Sequence, residues 1–337
     1  MSNTKLGFDL GAYSLKMAQY GAHGAERVAV APLPENLVQD GRILSYEAMS
    51  DFLKKTVREN KLSGRRNACV VLPAGIAFLR RLTMPAMTEE QLQFNLPFEF
   101  RDYAEQGKDR FFYDYAVLSV THDDSGKVSE LELLAAAVPK ETIAEYRDMF
   151  RRAGLKLRVA VPAECAYTNL LREYLASDGA KCSPQAGHCI INLEHSATHV
   201  CIFTGSHYET SRVIDMGCVD IDRAIAAYCN VDEHIAHTYR KSNHENVLSQ
   251  EAVQDVCGDI SVEIMKALNF YSFNNGGNAP EYIYYCGDGA DIQPLIHAIA
   301  LAVGTELRSI DQLMPISPKV AAADAALCSL AIGITRQ

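Results

Sequence analysis

A mixed α/β protein of two duplicated lobes, with a small β-α-β-β-α-β unit set into the first, is the fold this sequence predicts. Three observations predict it. LGFDLGAYSLKMAQY (6–20) and CIINLEHSATHVCIF (189–203) follow one plan: an apolar strand with a polar residue at its fourth position, a short turn with hydroxylated residues, and a returning strand. Residues 75–161 read as strand, helix, hairpin, helix and strand, the split order that makes a small sheet with two helices on one side. The polar segment DGAKCSPQAGH (178–188) separates the halves. Two such openings, each starting an α/β half, imply a cleft between the halves.

The elements follow in order. KLGFDL, the turn GAYS and LKMAQY form a hairpin; RVAVAPLP adds a strand, and a helix covers 46–60. NACVVLP (67–73) is a compact apolar run of the kind a sheet buries on both faces. In 75–161, GIAFLRRL is a strand, TEEQLQFNLPFEFRDYA a helix, and FFYDYAVLSV with VSELELLAAAV a hairpin turned at HDDSGK. KETIAEYRDMFRRAG then makes a helix and LKLRVAV a strand. A further helix spans 163–177. In the second half, YETSRVIDMG, a helix at DIDRAIAAYC and a helical insert follow the hairpin. The strand EYIYYCG, a helix at DIQPLIHAIALAVG and a final helix at PKVAAADAALCSLAIGIT complete it. The first lobe's core is therefore expected at 1–74, completed by 162–180 and 315–337, with 75–161 inserted. The second is expected at 187–230, completed by 280–314, with 231–279 as its helical subdomain.

A chain of 337 residues, 48% apolar and 22% charged, is long enough for about two buried cores. Its formal net charge of −10 offers no field for nucleic acid or anionic lipid. Ten cysteines without a Cys-x-x-Cys pair read as reduced core residues of a cytosolic protein. The apolar stretches 294–304 and 325–334 fall short of the roughly 18 residues that cross a bilayer, so no direct membrane insertion is expected.

Strand alternation puts Leu6, Phe8 and Leu10 on one face and Asp9 on the other. Gly11 lets an anion approach the backbone, and Gly11-Ala12-Tyr13-Ser14 presents successive N–H groups as a nest. Lys16 adds a point charge, and Asp9 suits Mg²⁺ held through water. The plainer reading is a hairpin turn with conformationally suited residues. Gly287, Asp288 and Gly289 sit between strand and helix, where backbone access and the helix start favour a phosphate or a flat ring; a tight strand-to-helix turn explains them as well. In 258–273, Ile260, Ile264, Leu268 and Tyr271 form a packed stripe, with Glu263 and Lys266 off it, facing a cleft or solvent. Asp232, His234 and His237 lie one turn apart, but no further metal ligand stands at suitable spacing. His188, His195 and His199 form no nucleophile–base pair. Leu96 to Phe100, two aromatics around Pro97, read as a kinked helix with a core face or as the wall of a peptide groove.

The ordered blocks LGFDLGAYSLK, LTMPAMTEEQLQFNLPFEF, GLKLRVAVPAECAYTNLLREY, SRVIDMGCVDIDRAIAAYC, EIMKALNFYSFNN, YCGDGADIQPLIHAI and CSLAIGITR resemble the PilM family of type IV pilus assembly proteins, relatives of FtsA. The resemblance spans nearly the whole chain and rests on block order more than on any one motif. It implies an actin/Hsp70-type nucleotide-binding fold, α/β with two lobes, and a cytoplasmic scaffold that binds ATP and Mg. By it, Asp9 to Lys16 is the first phosphate loop, Asn192 to Thr198 the second and Gly287 to Gly289 the adenosine-side turn, with Lys266 near the base. It also implies a partner: a PilN-like single-pass membrane protein, gripped by its cytoplasmic N-terminal tail beside the inserted unit and recruiting the scaffold to the inner face of the membrane.

Two departures stand out. Asn192-Leu193-Glu194 replaces an Asp-x-Gly usual in the second loop, and Gly217-Cys218 replaces a frequent glycine pair. A misplaced glutamate charge beside phosphate costs on the order of 1–3 kcal/mol of binding. Ser196 and Thr198 remain as hydroxyl donors, and Glu164 is the candidate base for water. Hydrolysis should suffer more than binding, because phosphoryl transfer needs metal, water and phosphate held together. The other readings on this fold are a small-molecule (sugar) kinase, against which the missing Cys-rich zinc motif counts, and a filament-forming ATPase.

Overall fold

The computed structural model describes residues 5–21, 24–39, 41–62, 67–102 and 107–336. Strands β1 (Leu6–Leu10), β2 (Ser14–Gly21) and β3 (Gly24–Pro32) form an antiparallel meander. A short ribbon, β4 (Val38–Gln39) with β5 (Arg42–Ile43), leads into α1 (Tyr46–Glu59), whose N-cap Ser45 accepts from the Ala48 amide. Strand β6 (Asn67–Leu72) then lies parallel to β1. An excursion follows: β7 (Phe78–Pro85), α2 (Glu89–Glu99), β8 (Phe111–His122) and β9 (Val128–Pro139). Helix α3 (Lys140–Arg152) and β10 (Lys156–Pro162) return to the first sheet, and α4 (Ala163–Leu175) crosses toward the second lobe.

The second lobe repeats the plan. Strands β11 (Gly187–Leu193), β12 (Thr198–Thr204) and β13 (His207–Ile214) make the meander. Helices α5 (Cys218–Cys229), α6 (Glu233–Ser242) and α7 (Glu251–Asn274) precede β14 (Tyr282–Cys286). Then come α8 (Gln293–Val303), β15 (Leu307–Ser309), α9 (Ala322–Leu327) and α10 (Ser329–Gly333). The sheets have the orders β10-β6-β1-β2-β3 and β13-β12-β11-β14-β15, so both lobes share one topology: a three-stranded meander extended by two parallel strands. Register deepens the match. Asp9 pairs with Lys16 and Val71; Asn192, its counterpart, pairs with His199 and Cys286.

Two expectations need correcting. The chain order over 75–161 is as read, but its last helix and strand do not close the inserted unit. Strand β10 joins β6 in the first sheet, and α3 packs Tyr146, Met149 and Phe150 against Phe8, Met49 and Leu53 of that lobe. The inserted sheet is β7-β9-β8, three strands with α2 on one face. Helix α2 buries Leu92, Leu96 and Phe100 there and exposes Phe94 and Phe98, so the aromatic run around Pro97 splits between core and surface. That helix ends at Glu99, and the predicted continuation through 103–104 lies outside the described residues. The single C-terminal helix expected over 318–335 is two short ones meeting at Cys328.

Alternation decides which faces are covered. Leu6, Phe8 and Leu10 turn toward α1 and α3, while Cys189, Ile191 and Leu193 turn toward the α5–α8 layer. The opposite faces of both sheets meet in one shared core with α4, α9 and α10, built on Ala18, Tyr20, Tyr167, Leu170, Ile190, Phe203 and Tyr284. Asp9 and Asn192 stand at the ends of their strands on that inner side, above the shared core. Among the described residues, no helix is long and apolar enough to cross a membrane.

Candidate functional site

The meander turns of the two lobes face each other across a crevice of about 710 Å³. Asp9, Gly11 and Ala12 line it from the first lobe; Asn192, Glu194, Ser196 and His199 line it from the second. Glu164, at the start of α4, closes one side and accepts a hydrogen bond from the Ser211 hydroxyl at 3.1 Å. The two turns predicted from sequence therefore share one cavity. Lys16, Tyr13, Gly217 and the 287–289 turn lie against these loops, behind the crevice.

Lys16 is the site's electrostatic centre. It is buried (2% exposed), with Nζ 3.2 Å from Asp288 Oδ1 of the second lobe and 3.9 Å from Asp9 Oδ2 of its own. Burial works against its charge, but Asp288, Asp9 and Glu194 outweigh burial and hold the ammonium ionised above its ordinary range. Burial likewise pushes the Asp9 carboxyl up, with Glu194 and Asp288 adding to the rise and Lys16 opposing it. One ammonium thus faces three carboxylates. A cation fits such a charge balance better than a bare anion does.

The second loop spends much of its polarity internally. Asn192 Nδ2 donates to Glu194 Oε1 at 2.7 Å, and Asn192 Oδ1 accepts from the Cys286 thiol at 3.6 Å. The carbonyls of Glu194 and His195 cap α5 by accepting from the Cys218 and Val219 amides at 3.0 and 2.8 Å. Thr198 is fully buried and donates to the Met216 carbonyl at 2.9 Å, so its proton is committed; Ser196 remains at the crevice wall. In the first loop the Gly11 amide donates to the Ser14 carbonyl at 3.1 Å, and Ser14 is buried at the start of β2.

Gly217 and Gly287 have reasons of their own. A Cβ on Gly217 would stand 2.6–2.7 Å from the backbone of Glu194, His195 and Ala197. Gly287 has φ +91°, and its Cβ would meet Asn192 Oδ1 at 2.4 Å and the Leu193 carbonyl at 2.6 Å. The Gly289 amide donates to Leu193 O at 2.9 Å. Close seating on the second loop accounts for this turn. Lys266 is not brought to the crevice: it lies exposed on α7 and pairs with Glu263 at 2.6 Å.

A cluster that sequence reasoning missed adjoins the first loop. Tyr13 reaches across the lobes and packs its ring on His195 (centroids 4.9 Å apart) and on His237 of α6 (4.5 Å). His237 Nδ1 is 3.2 Å from Asp222 Oδ2, and the buried Arg240 donates through Nε to Asp222 Oδ1 at 2.6 Å. His195, Asp222 and His237 bring their ligand atoms within 4.8 Å of one another, but the Arg240 guanidinium, 3.0 Å from His237 Nδ1, already supplies the positive charge there. Asp232, His234 and His237, set aside as a metal site on the sequence, do not converge: Asp232 caps α6 by accepting from the Ile235 amide, and His234 lies exposed beside Glu35.

A second concavity, of about 1080 Å³, separates the inserted sheet from the first lobe. Arg42, Ile43 and Tyr46 line one wall, Phe78 and Phe111 the other, and Lys140, Glu141 and Glu145 of α3 the floor. Ile43, Tyr46, Phe78 and Phe111 give its walls apolar surface, and its floor and rims carry charges of both signs.

Comparisons with known proteins give the chain its family and its fold. The family model described as type IV pilus assembly protein PilM matches residues 7–333. Among solved structures, the chain is similar to one titled PilM-PilN type IV pilus biogenesis complex, with a TM-score of 0.82 and 19% identity over 98% of this chain and 97% of that one. It is also similar to the ethanolamine utilization protein EutJ from Carboxydothermus hydrogenoformans, with a TM-score of 0.61 and 13% identity over 98% and 89% of the two chains. MreB 5 of Spiroplasma citri, bound to AMPPNP, gives a TM-score of 0.50 and 14% identity over 99% and 95%. At such identities the likeness speaks for the fold, the two-lobed actin-like architecture.

Proposed function

This chain belongs to the family of the type IV pilus assembly protein PilM, and from that premise we propose that it works as a cytoplasmic scaffold holding the cytoplasmic tail of a PilN-like membrane protein. The observation that carries the reading is the groove between the inserted sheet and the first lobe. An extended tail needs a concave, partly apolar channel with polar rims, and Ile43, Tyr46, Phe78 and Phe111 supply its apolar walls. Tyr46 is braced edge-on by Tyr146 (centroids 6.1 Å apart), which keeps that wall in place before a ligand arrives. Through such a tail the scaffold is recruited to the inner face of the membrane.

A synthetic peptide of the cytoplasmic N-terminal tail of a PilN-like protein from the same organism tests the reading by fluorescence anisotropy. Ile43→Glu puts a charge into the apolar wall and should weaken the peptide at least about tenfold, roughly 1.4 kcal/mol. Leu301→Ser, on the distant exposed face of α8, should leave it unchanged. Equal affinity for the parent and for Ile43→Glu would remove the groove from the account.

ATP with magnesium is, in this reading, a weak ligand of the interlobe crevice. The residues present fit a hydrated cation beside Asp9 and Asn192. Gly11, Ala12 and Ser196 at the crevice wall would take phosphate oxygens. Lys16, sealed behind the first loop, would reach them only by leaving Asp288, and the Gly287–Gly289 turn behind the second loop is assigned to the adenosine side by the family resemblance alone. Bound there, the nucleotide would supply a polyphosphate bridge between the lobes. Efficient hydrolysis is not part of the proposal: Glu194 sets negative charge beside the phosphate position, and Glu164 is engaged by Ser211.

A further inference from the structure

We propose that Asp288 is an autoinhibitory residue of the crevice, whose carboxylate takes Lys16 from an incoming nucleotide and ties the lobes together in its absence. The inference rests on the reading of the crevice as a nucleotide site, and it adds a regulation to that site. Lys16 belongs to β2 and Asp288 to the turn after β14, so their 3.2 Å ion pair is a bond between lobes. Both ends are held. Lys16 is sealed beneath the first loop, and the Asp288 turn is seated on the second loop through the Gly289 amide and pinned by Lys241, whose Nζ bonds Asp291 at 2.9 Å. Tyr13, packed on His195 and His237, is a second contact of the same sense, from first loop to second lobe.

Charge makes these contacts compete with a nucleotide. Lys16 is the buried cation of the site, and Asp9, Asp288 and Glu194 already oppose it. A polyphosphate entering beside them brings more negative charge and needs the same ammonium. It gains a hold on Lys16 only as Asp288 lets go, so the ion pair taxes binding by the free energy of its own rupture. Nucleotide and clasp are alternative ways of joining one pair of lobes.

Asp288→Asn tests this, because it removes the charge and keeps the shape, and Lys16 retains Asp9 as a partner. The readout is MgADP and MgATP affinity by calorimetry on the full chain, with circular dichroism to establish that the variant is folded. The expected result is at least tenfold tighter nucleotide binding by Asp288→Asn, equivalent to about 1.4 kcal/mol. Without nucleotide, hydrogen exchange should rise at 192–198 and 287–291, where the clasp is lost. Unchanged or weaker affinity in a folded variant overturns the proposal, and so does failure of both proteins to bind at millimolar nucleotide. The tail-peptide measurement is independent of either outcome, so loss of this inference leaves the scaffold reading standing.

Discussion

Asp222→Ala is expected to destabilise the protein by about 3–5 kcal/mol, the loss that follows when one partner of a buried ion pair is deleted. Asp222 and Arg240 are 1% and 3% exposed, and the guanidinium bonds both carboxylate oxygens, at 2.6 and 3.3 Å. Burial alone would raise the Asp222 carboxyl, but hydrogen bonds from His237 and Arg240 reverse that and hold it below its ordinary value. Without it, Arg240 keeps only the 3.0 Å contact with His237, and its Nη1 is already without a partner among the described residues. Helix α6 would then carry an uncompensated charge into the second lobe's core, where Ala236 packs with Ile221 and Ile225. Urea unfolding at neutral pH measures the effect. The paired change Asp222→Leu with Arg240→Met should recover most of the loss, because two apolar groups of similar volume need no partner. A loss below about 1 kcal/mol for the single change would mean that water reaches the pair and the cluster is not a buried lock.

The duplication was legible because strand alternation and the two meander turns are local features, and both sheets took the strand order such a repeat requires. The border of the inserted unit was not. Helix α3 and β10 have the same apolar spacing whether they close a small sheet or extend a large one; pairing with β6 decides it, and that is a long-range fact. The Asp222–Arg240 pair left a trace that could have been followed. Asp222 stands on the same stripe of α5 as Cys218, Ile221 and Ile225, and a charge on an apolar stripe asks for a buried partner. The packing of Tyr13 on His195 and His237 left none, since only the folding of two lobes onto each other brings those rings together. For the same reason the opposition of Lys16 and Asp288 was hidden, although both residues had been singled out as parts of a site.

His188→Phe should stabilise the protein, and increasingly so in acid. His188 is fully buried on the inner face of β11, between Tyr282 (centroids 5.4 Å) and Tyr284 (6.1 Å), and neither ring nitrogen has a partner among the described residues. Burial lowers its pKa from 6.5 to about 4, with Glu281 opposing weakly, so the folded state keeps the ring neutral while an unfolded chain takes up a proton. The sign follows from that difference: the neutral ring's full contribution is present above pH 6.5 and is lost as pH falls toward 4. The loss amounts to about 2 kcal/mol near pH 5 and roughly 3 kcal/mol below pH 4. Phenylalanine keeps the stacking, fills nearly the same volume and has no nitrogen to satisfy or protonate, so its advantage at neutral pH should be about 1 kcal/mol and should widen by those amounts on acidification. Urea midpoints for the two proteins at neutral pH and near pH 5 decide it. Parallel pH profiles would show that His188 gains a proton as easily folded as unfolded, and would place water or an acid against its ring.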